Sequence, residues 1–286
     1  MNKSKIYLIL SMLIFGSIGI FRTYIPIGSA VLAVLRGFIG AISIIVIMLI
    51  TGKKIDFAAI KKNLFLLILS GVFVGFNWML LFEAYIYTTV SVATLCYYMA
   101  PIFVIIVSPF LLDEKMTLKK IICVIVAALG MAFVSGALGE SSKANVRGVL
   151  FGLGAAVMYA GIIVCNKKIK GVDFYSKTAI QLFVASVSVL PYALKGGELP
   201  ALSAGTIALI IIVGVVHTGI AYALYFASMD GLTAQTVAIF SYIDPAVAVL
   251  SSVVILCQPF TLMQLAGVVL ILGASCVSEI KPKIKE

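Results

Sequence analysis

The sequence predicts an all-α integral membrane protein with ten transmembrane helices. They form two inverted five-helix repeats, with the N- and C-termini cytoplasmic. Three observations carry this. Of 286 residues, 63% are apolar and 11% charged, against about half and a quarter in a soluble domain. The apolar runs are continuous over roughly the 20 residues a spanning helix needs, and they do not alternate as barrel strands do. The chain can also be laid on itself. The composition excludes a soluble enzyme, a secreted domain and a disordered tail, because water cannot face so much apolar surface.

The runs follow in order. Ile6–Phe21 opens the chain behind Lys3 and Lys5; no small-residue cleavage site follows it, so it reads as a retained helix rather than a signal peptide. Ile27–Ile50 stops at Gly52-Lys53-Lys54. Asn63–Tyr87 and Val90–Leu112 come next, the latter ending at Asp113-Glu114-Lys115. Lys120–Ser135 precedes the polar stretch Gly139-Glu140-Ser141-Ser142-Lys143. Arg147–Asn166 and Ser176–Leu194 follow, closed by Lys195-Gly196-Gly197-Glu198. Gly205–Met229, Leu232–Leu256 and Leu262–Val277 complete the set.

Charge placement gives the orientation. Sixteen lysines fall on the side of Lys3, Lys53, Lys61, Lys115, Lys167 and Lys281. Four basic residues, Arg22, Lys143, Arg147 and Lys195, fall on the other, and Arg36 lies inside a run. The formal net charge of +10 is thus an excess on one face, which marks the cytoplasmic side. It does not point to nucleic acid. The cysteines (Cys96, Cys123, Cys165, Cys257 and Cys276) have no metal-ligand spacing and read as small buried hydrophobes.

At a shift of 143, Gly71, Leu81 and Ala84 fall on Gly214, Leu224 and Ala227. At 144, Tyr98, Pro101, Ser108 and Thr117 fall on Tyr242, Pro245, Ser252 and Thr261, so one residue is inserted near the turn from the third to the fourth helix of the repeat. Two domains result, residues 1–137 and 146–280. Five spans per repeat is an odd number, so the repeats enter the bilayer in opposite senses. That architecture is typical of secondary transporters, with the substrate site at the midplane between repeats.

The chain resembles the drug/metabolite transporter superfamily, in its ten-helix EamA-type branch. The likeness rests on Pro101, Glu114, Thr117-Leu118 and Gly130 in order, on Leu35-Arg36-Gly37-Phe38 in the second helix, and on Pro245. Gln258 stands where the family often has Glu, and Gln181 where the repeat would place a counterpart of Arg36. The resemblance implies export of small metabolites such as amino acids or amines.

Candidate site residues follow from what hydrocarbon tolerates. Asp244 sits mid-run in Tyr242-Ile243-Asp244-Pro245, where an acid costs about 2.5–3.5 kcal/mol and is expected to face a cavity or partner. It reads as a contact for a substrate amine, a proton-coupling group or a structural partner of Arg36. His217, the one histidine, is a candidate proton relay, and being alone it argues against a zinc site. Pro101 and Pro245 are candidate gating hinges whose missing N–H groups would free the carbonyls of Tyr97 and Ser241.

Asn77, Trp78, Thr94, Tyr97, Tyr98 and Tyr159 lie in the same central runs. Thr218, Tyr222 and Tyr225 share a helix face, as do Ser241 and Asp244. Aromatic groups with one acid suit an organic cation or a zwitterion with an apolar body. Glu83 reads as interfacial, Arg36 and Glu114 as structural charges, and Gly71-x-x-x-Gly75 and Gly148-x-x-x-Gly152 as close helix crossings.

The sequence therefore predicts a secondary transporter, exporting small organic metabolites by alternating access through a central cavity. A lipid-linked substrate flippase of the same fold is the alternative. No Walker A loop, H-E-x-x-H or G-x-S-x-G occurs, which argues against an ATP-driven pump and an enzyme. No cofactor or metal is expected. The expected partners are a small-molecule substrate, protons as a candidate coupling ion, and the lipid bilayer of the (prokaryotic) cell membrane. The chain is expected to act as a monomer or homodimer.

Overall fold

The computed structural model describes residues 3–88, 93, 96–135, 146–195, 202–256 and 261–278. Among them the regular elements are all helical. They are α1 (Lys3–Thr23), α2 (Ser29–Ile50), α3 (Phe57–Tyr87), α4 (Ala100–Leu111), α5 (Leu118–Ser135), α6 (Val146–Lys168) and α7 (Phe174–Ala193). Then come α8 (Ala204–Met229), α9 (Ala234–Phe240), α10 (Ile243–Leu256) and α11 (Leu262–Ser278). Among the described residues, five stretches are long and apolar enough to cross a membrane: Lys3–Phe21, Ala30–Ile50, Phe57–Leu81, Val146–Lys168 and Ala204–Met229. Side chains such as Leu49, Phe65, Phe110, Val254 and Leu262 stand exposed on the outside. A bilayer tolerates so apolar an outer surface, and water does not. Thr94, Cys257, Gln258, Lys143 and Lys281 lie outside the described residues.

Polar side chains start the helices where the backbone has orphan N–H groups. Asp56 accepts from the Ala59 N–H at 2.9 Å, Asp173 from Tyr175 and Ser176 at 3.0 Å each, and Thr233 from Thr236 at 3.2 Å. Of the cysteines, Cys123 and Cys165 are buried as expected, but Cys276 is exposed on α11.

Three features differ from the sequence reading. The expected run Leu232–Leu256 is not one helix, because it breaks at Ser241–Tyr242 between α9 and α10. The described part of Val90–Leu112 breaks likewise at Tyr98–Met99, just before α4. Pro101 and Pro245 therefore sit in the first turns of α4 and α10 rather than kinking continuous helices. A proline costs nothing there, since a first-turn N–H has no intrahelical acceptor anyway. The Ser241 carbonyl, expected to be free, accepts the Asp244 N–H at 3.3 Å.

The third feature is a π turn, Val215–Ile220, inside α8. A π turn accommodates one residue more than an α turn. Glycine makes the packing there possible. A Cβ on Gly40 of α2 would stand 3.1 Å from both the Gly214 carbonyl and the Gly219 nitrogen, so the backbones of α2 and α8 touch.

The two halves of the chain pack through each other. α3 lies against α6 and α7, α2 against α7, α5 against α11, and α1 against α8 and α10. Their shared core holds Leu8, Met12, Trp78, Leu182, Tyr222 and Phe226.

Candidate functional site

The helix breaks set polar groups at the centre of this packing. Asp244 projects from the first turn of α10, within side-chain hydrogen-bonding reach of Tyr98, which lies at the break before α4. Tyr98 and Tyr242 bring their rings to 6.3 Å. Tyr97, Tyr159, Tyr222 and Tyr225 all lie close enough to feel the Asp244 charge. Tyr225 donates its hydroxyl proton to Tyr159 at 3.0 Å with the rings stacked, and Tyr97 leans on Tyr159 at 5.6 Å. Phe15 of α1 closes this group edge-on, 5.0 Å from Tyr222 and 6.0 Å from Tyr225. A lone phenylalanine in an apolar run carries no signal in sequence, which is why the sequence reading misses it.

Trp78 and Arg36 form a second group joined to the first. Trp78 Nε1 donates to the Tyr222 hydroxyl at 3.1 Å. The Arg36 guanidinium lies 4.5 Å over the Trp78 ring, and its Nε donates to Thr218 Oγ1 at 3.0 Å. Thr218 in turn gives its hydroxyl proton to the Val213 carbonyl at 2.9 Å, five residues back across the π turn. The ion pair of Arg36 with Asp244 considered from sequence is not formed. Among the described residues no carboxylate lies within 4.0 Å of Arg36, because an aromatic face and a hydroxyl occupy its surroundings instead.

His217 pairs with Ser17 of α1, its Nε2 standing 3.1 Å from the Ser17 hydroxyl. That hydroxyl donates to the Ile14 carbonyl at 2.8 Å, so the imidazole is the donor of the pair. The buried Nδ1 makes no bond of hydrogen-bond geometry among the described residues, although the Ile212 backbone is close by. The buried hydroxyl of Tyr242 also has no partner there.

Other expected residues go elsewhere. Asn77 donates to the Ala155 carbonyl at 2.8 Å, tying α3 to α6, and lies within reach of Tyr97. Ser241 turns back on its own helix, donating to the Ala238 carbonyl at 2.7 Å. Glu114 is far from the aromatic groups in chain and role. It accepts the N–H groups of Ala234 at 2.6 Å and Gln235 at 3.2 Å, capping α9 across the two halves. Glu83 is half-buried late in α3.

Two polar assemblies have no counterpart in the sequence reading. Ser70, Asn166 and Gln181, all buried, bond to one another between α3, α6 and α7. Lys177 pairs with Asp230 at 3.0 Å, while Lys167 Nζ donates to the carbonyls of Met229 at 2.8 Å and Leu232 at 2.6 Å. A cleft of ≈ 470 Å³ beside them is lined by Lys167, Lys170, Asp173 and Asp230, among others.

Comparison with known proteins gives a consistent picture. The profile of the EamA-like transporter family matches residues 2–136 and again 146–279. The uncharacterized transporter YxxF of Bacillus subtilis is 28% identical over 282 residues, covering 98% of this chain and 90% of that protein. An uncharacterized transporter of Archaeoglobus fulgidus is 28% identical over 237 residues, with 79% of this chain and 80% of that one covered. Protein PecM of Dickeya dadantii is 25% identical over 232 residues, covering 80% and 77%. A solved crystal structure superposes with a TM-score of 0.85 over 97% of this chain and 98% of the other. At 18% identity it speaks for the fold alone.

Proposed function

The chain belongs to the EamA-like transporter family, and from that premise we propose that it exports small organic metabolites, amino acids or amines among them, by alternating access through a central cavity. It is a membrane transporter and not an enzyme. In this reading the chain crosses the cell membrane ten times, as two five-helix repeats (residues 1–137 and 146–280) inserted in opposite senses, with both termini cytoplasmic. The sixteen-to-four lysine and arginine asymmetry supports the orientation. The mutual packing of the two halves supports the repeat, since α3 against α6 has its counterpart in α8 against α1.

The observation that carries the proposal is Asp244. A carboxyl group sits at a helix break between the halves, among tyrosines from both of them. A packed structural core has no need of such a group, whereas an amine-bearing substrate or a coupling proton does. The breaks ahead of Pro101 and Pro245 act as the hinges. Trp78, Asn77, Tyr98, Tyr159 and Tyr222 line the path, with His217 as a second proton-carrying group and Ser241 at the break itself.

Flux in proteoliposomes under an imposed pH gradient tests this, using labelled amino acids and amines as probes. Asp244→Asn keeps the volume and removes the charge. It is expected to lower flux at least roughly tenfold, the scale set by losing one charge-assisted contact, with the melting temperature unchanged. Full flux with the same pH dependence would show that Asp244 is not the coupling or amine site.

A further inference from the structure

We propose that Arg36 is the carboxylate receptor of this transporter, binding an anionic group of the transported molecule through the outer edge of its guanidinium. The inference rests on the transport reading above and adds a requirement on the substrate.

A guanidinium has five N–H donors in a rigid plane and no acceptor. Arg36 uses one of them, Nε, on Thr218. One face lies on Trp78. Among the described residues, the two Nη nitrogens meet no acceptor. Arg36 as a residue is half-buried.

A cation within a spanning segment is rare and is ordinarily paired with an acid or faces a polar cavity. Arg36 has an aromatic face and one hydroxyl as partners, and Asp244, the acid in the same aromatic neighbourhood, does not reach it. Arg36 and Asp244 share Tyr97 and Tyr222 as neighbours but stand more than 4.0 Å apart.

The guanidinium is also held rather than loose. Thr218 must accept from Nε, because its own proton goes to Val213. Trp78 is fixed by its bond to Tyr222. Both Thr218 and Tyr222 come from α8, and the π turn between Gly214 and Ala221 sets their register. Such preorganisation suits a fork-to-fork pairing with a carboxylate and lowers the entropy lost on binding.

Four probes on one aromatic body separate the groups: phenylalanine, its methyl ester, phenethylamine and 3-phenylpropionate. Binding is read as thermal stabilisation of the purified full chain, and transport as flux in proteoliposomes. Phenylalanine and 3-phenylpropionate are expected to bind at least tenfold tighter than the ester and the amine. Arg36→Gln is expected to erase that preference, so that the probes with and without a carboxylate bind alike. Arg36→Lys weakens it, since an ammonium keeps the charge but not the fork. Should Arg36→Gln fail to fold, the Arg36→Lys variant carries the test. Equal binding of the carboxylate-free probes, a preference that survives Arg36→Gln, or no stabilisation by any of the four overturns the assignment. Measured flux of amines would still uphold transport in each of those cases.

Discussion

Asp230→Ala is expected to destabilise the detergent-solubilised protein by about 2–3 kcal/mol, the scale of a hydrogen bond to a charged group left unmade. Lys177 has a side chain that is 1% exposed, and its Nζ stands 3.0 Å from Asp230 Oδ1. Removing the acid leaves a buried ammonium without its counter-ion. The cost falls below the full penalty of a sealed pair because Asp230 itself is 55% exposed, so water can reach the vacated place. The reverse change is far milder. Lys177→Met leaves a carboxylate that water already solvates and adds an apolar group to an apolar setting. The double variant Lys177→Met, Asp230→Ala should therefore recover most of the loss. Thermal midpoints of the four proteins form the cycle, and a single-variant loss below about 0.5 kcal/mol would mean that the pair is ornamental.

Gly71→Ala should cost about 1–3 kcal/mol, the range for overpacking a close contact. A Cβ there would stand 2.7 Å from the Cβ of Val184 and 2.9 Å from the Gln181 carbonyl. The carbonyl is helix backbone and cannot swing away, so α3 must move off α7. The same helix face carries Ser70, whose hydroxyl donates to Gln181 at 2.7 Å, and that bond lengthens with the displacement. Gly273 supplies the control. Nothing lies within 4 Å of a Cβ placed on it, and Gly273→Ala should be neutral or slightly stabilising through helix propensity. Equal melting temperatures for the two alanine variants would sink the close-crossing account.

Much of this architecture is written in single residue types that hydrocarbon makes conspicuous. Asp244, His217 and Arg36 stand out because charge is scarce within apolar runs, and the fold brings the first and third into one aromatic neighbourhood. Trp78 and Tyr222 stand out as bulky polar-edged side chains, and they bond directly. What sequence does not reveal is how a run is interrupted. Pro245 reads equally as a kink or as a first-turn residue, and the choice depends on where the N–H groups of its neighbours find acceptors. The π turn of α8 leaves no composition signature, since one extra residue in Val-Val-His-Thr-Gly-Ile looks like any other apolar stretch. The partner of Arg36 is hidden in the sequence for the same reason. Opposite charges in neighbouring runs suggest a bond, but only the local register of α8 decides that Thr218 takes the guanidinium first. Lys177 and Asn166 were hidden by their positions at helix ends, where polar residues are ordinarily solvated.

The hydrogen bond between Trp78 and Tyr222 has an optical consequence. Trp78 is the only tryptophan in the chain, so the indole emission of the whole protein comes from one ring. That ring has the Arg36 cation over its face and a phenol at its N–H. Any molecule that draws the guanidinium aside, or parts the two helices that carry Trp78 and Tyr222, must change the colour or yield of that emission. The protein thus carries a native fluorophore inside its candidate binding site, and a titration can be followed without attaching a dye.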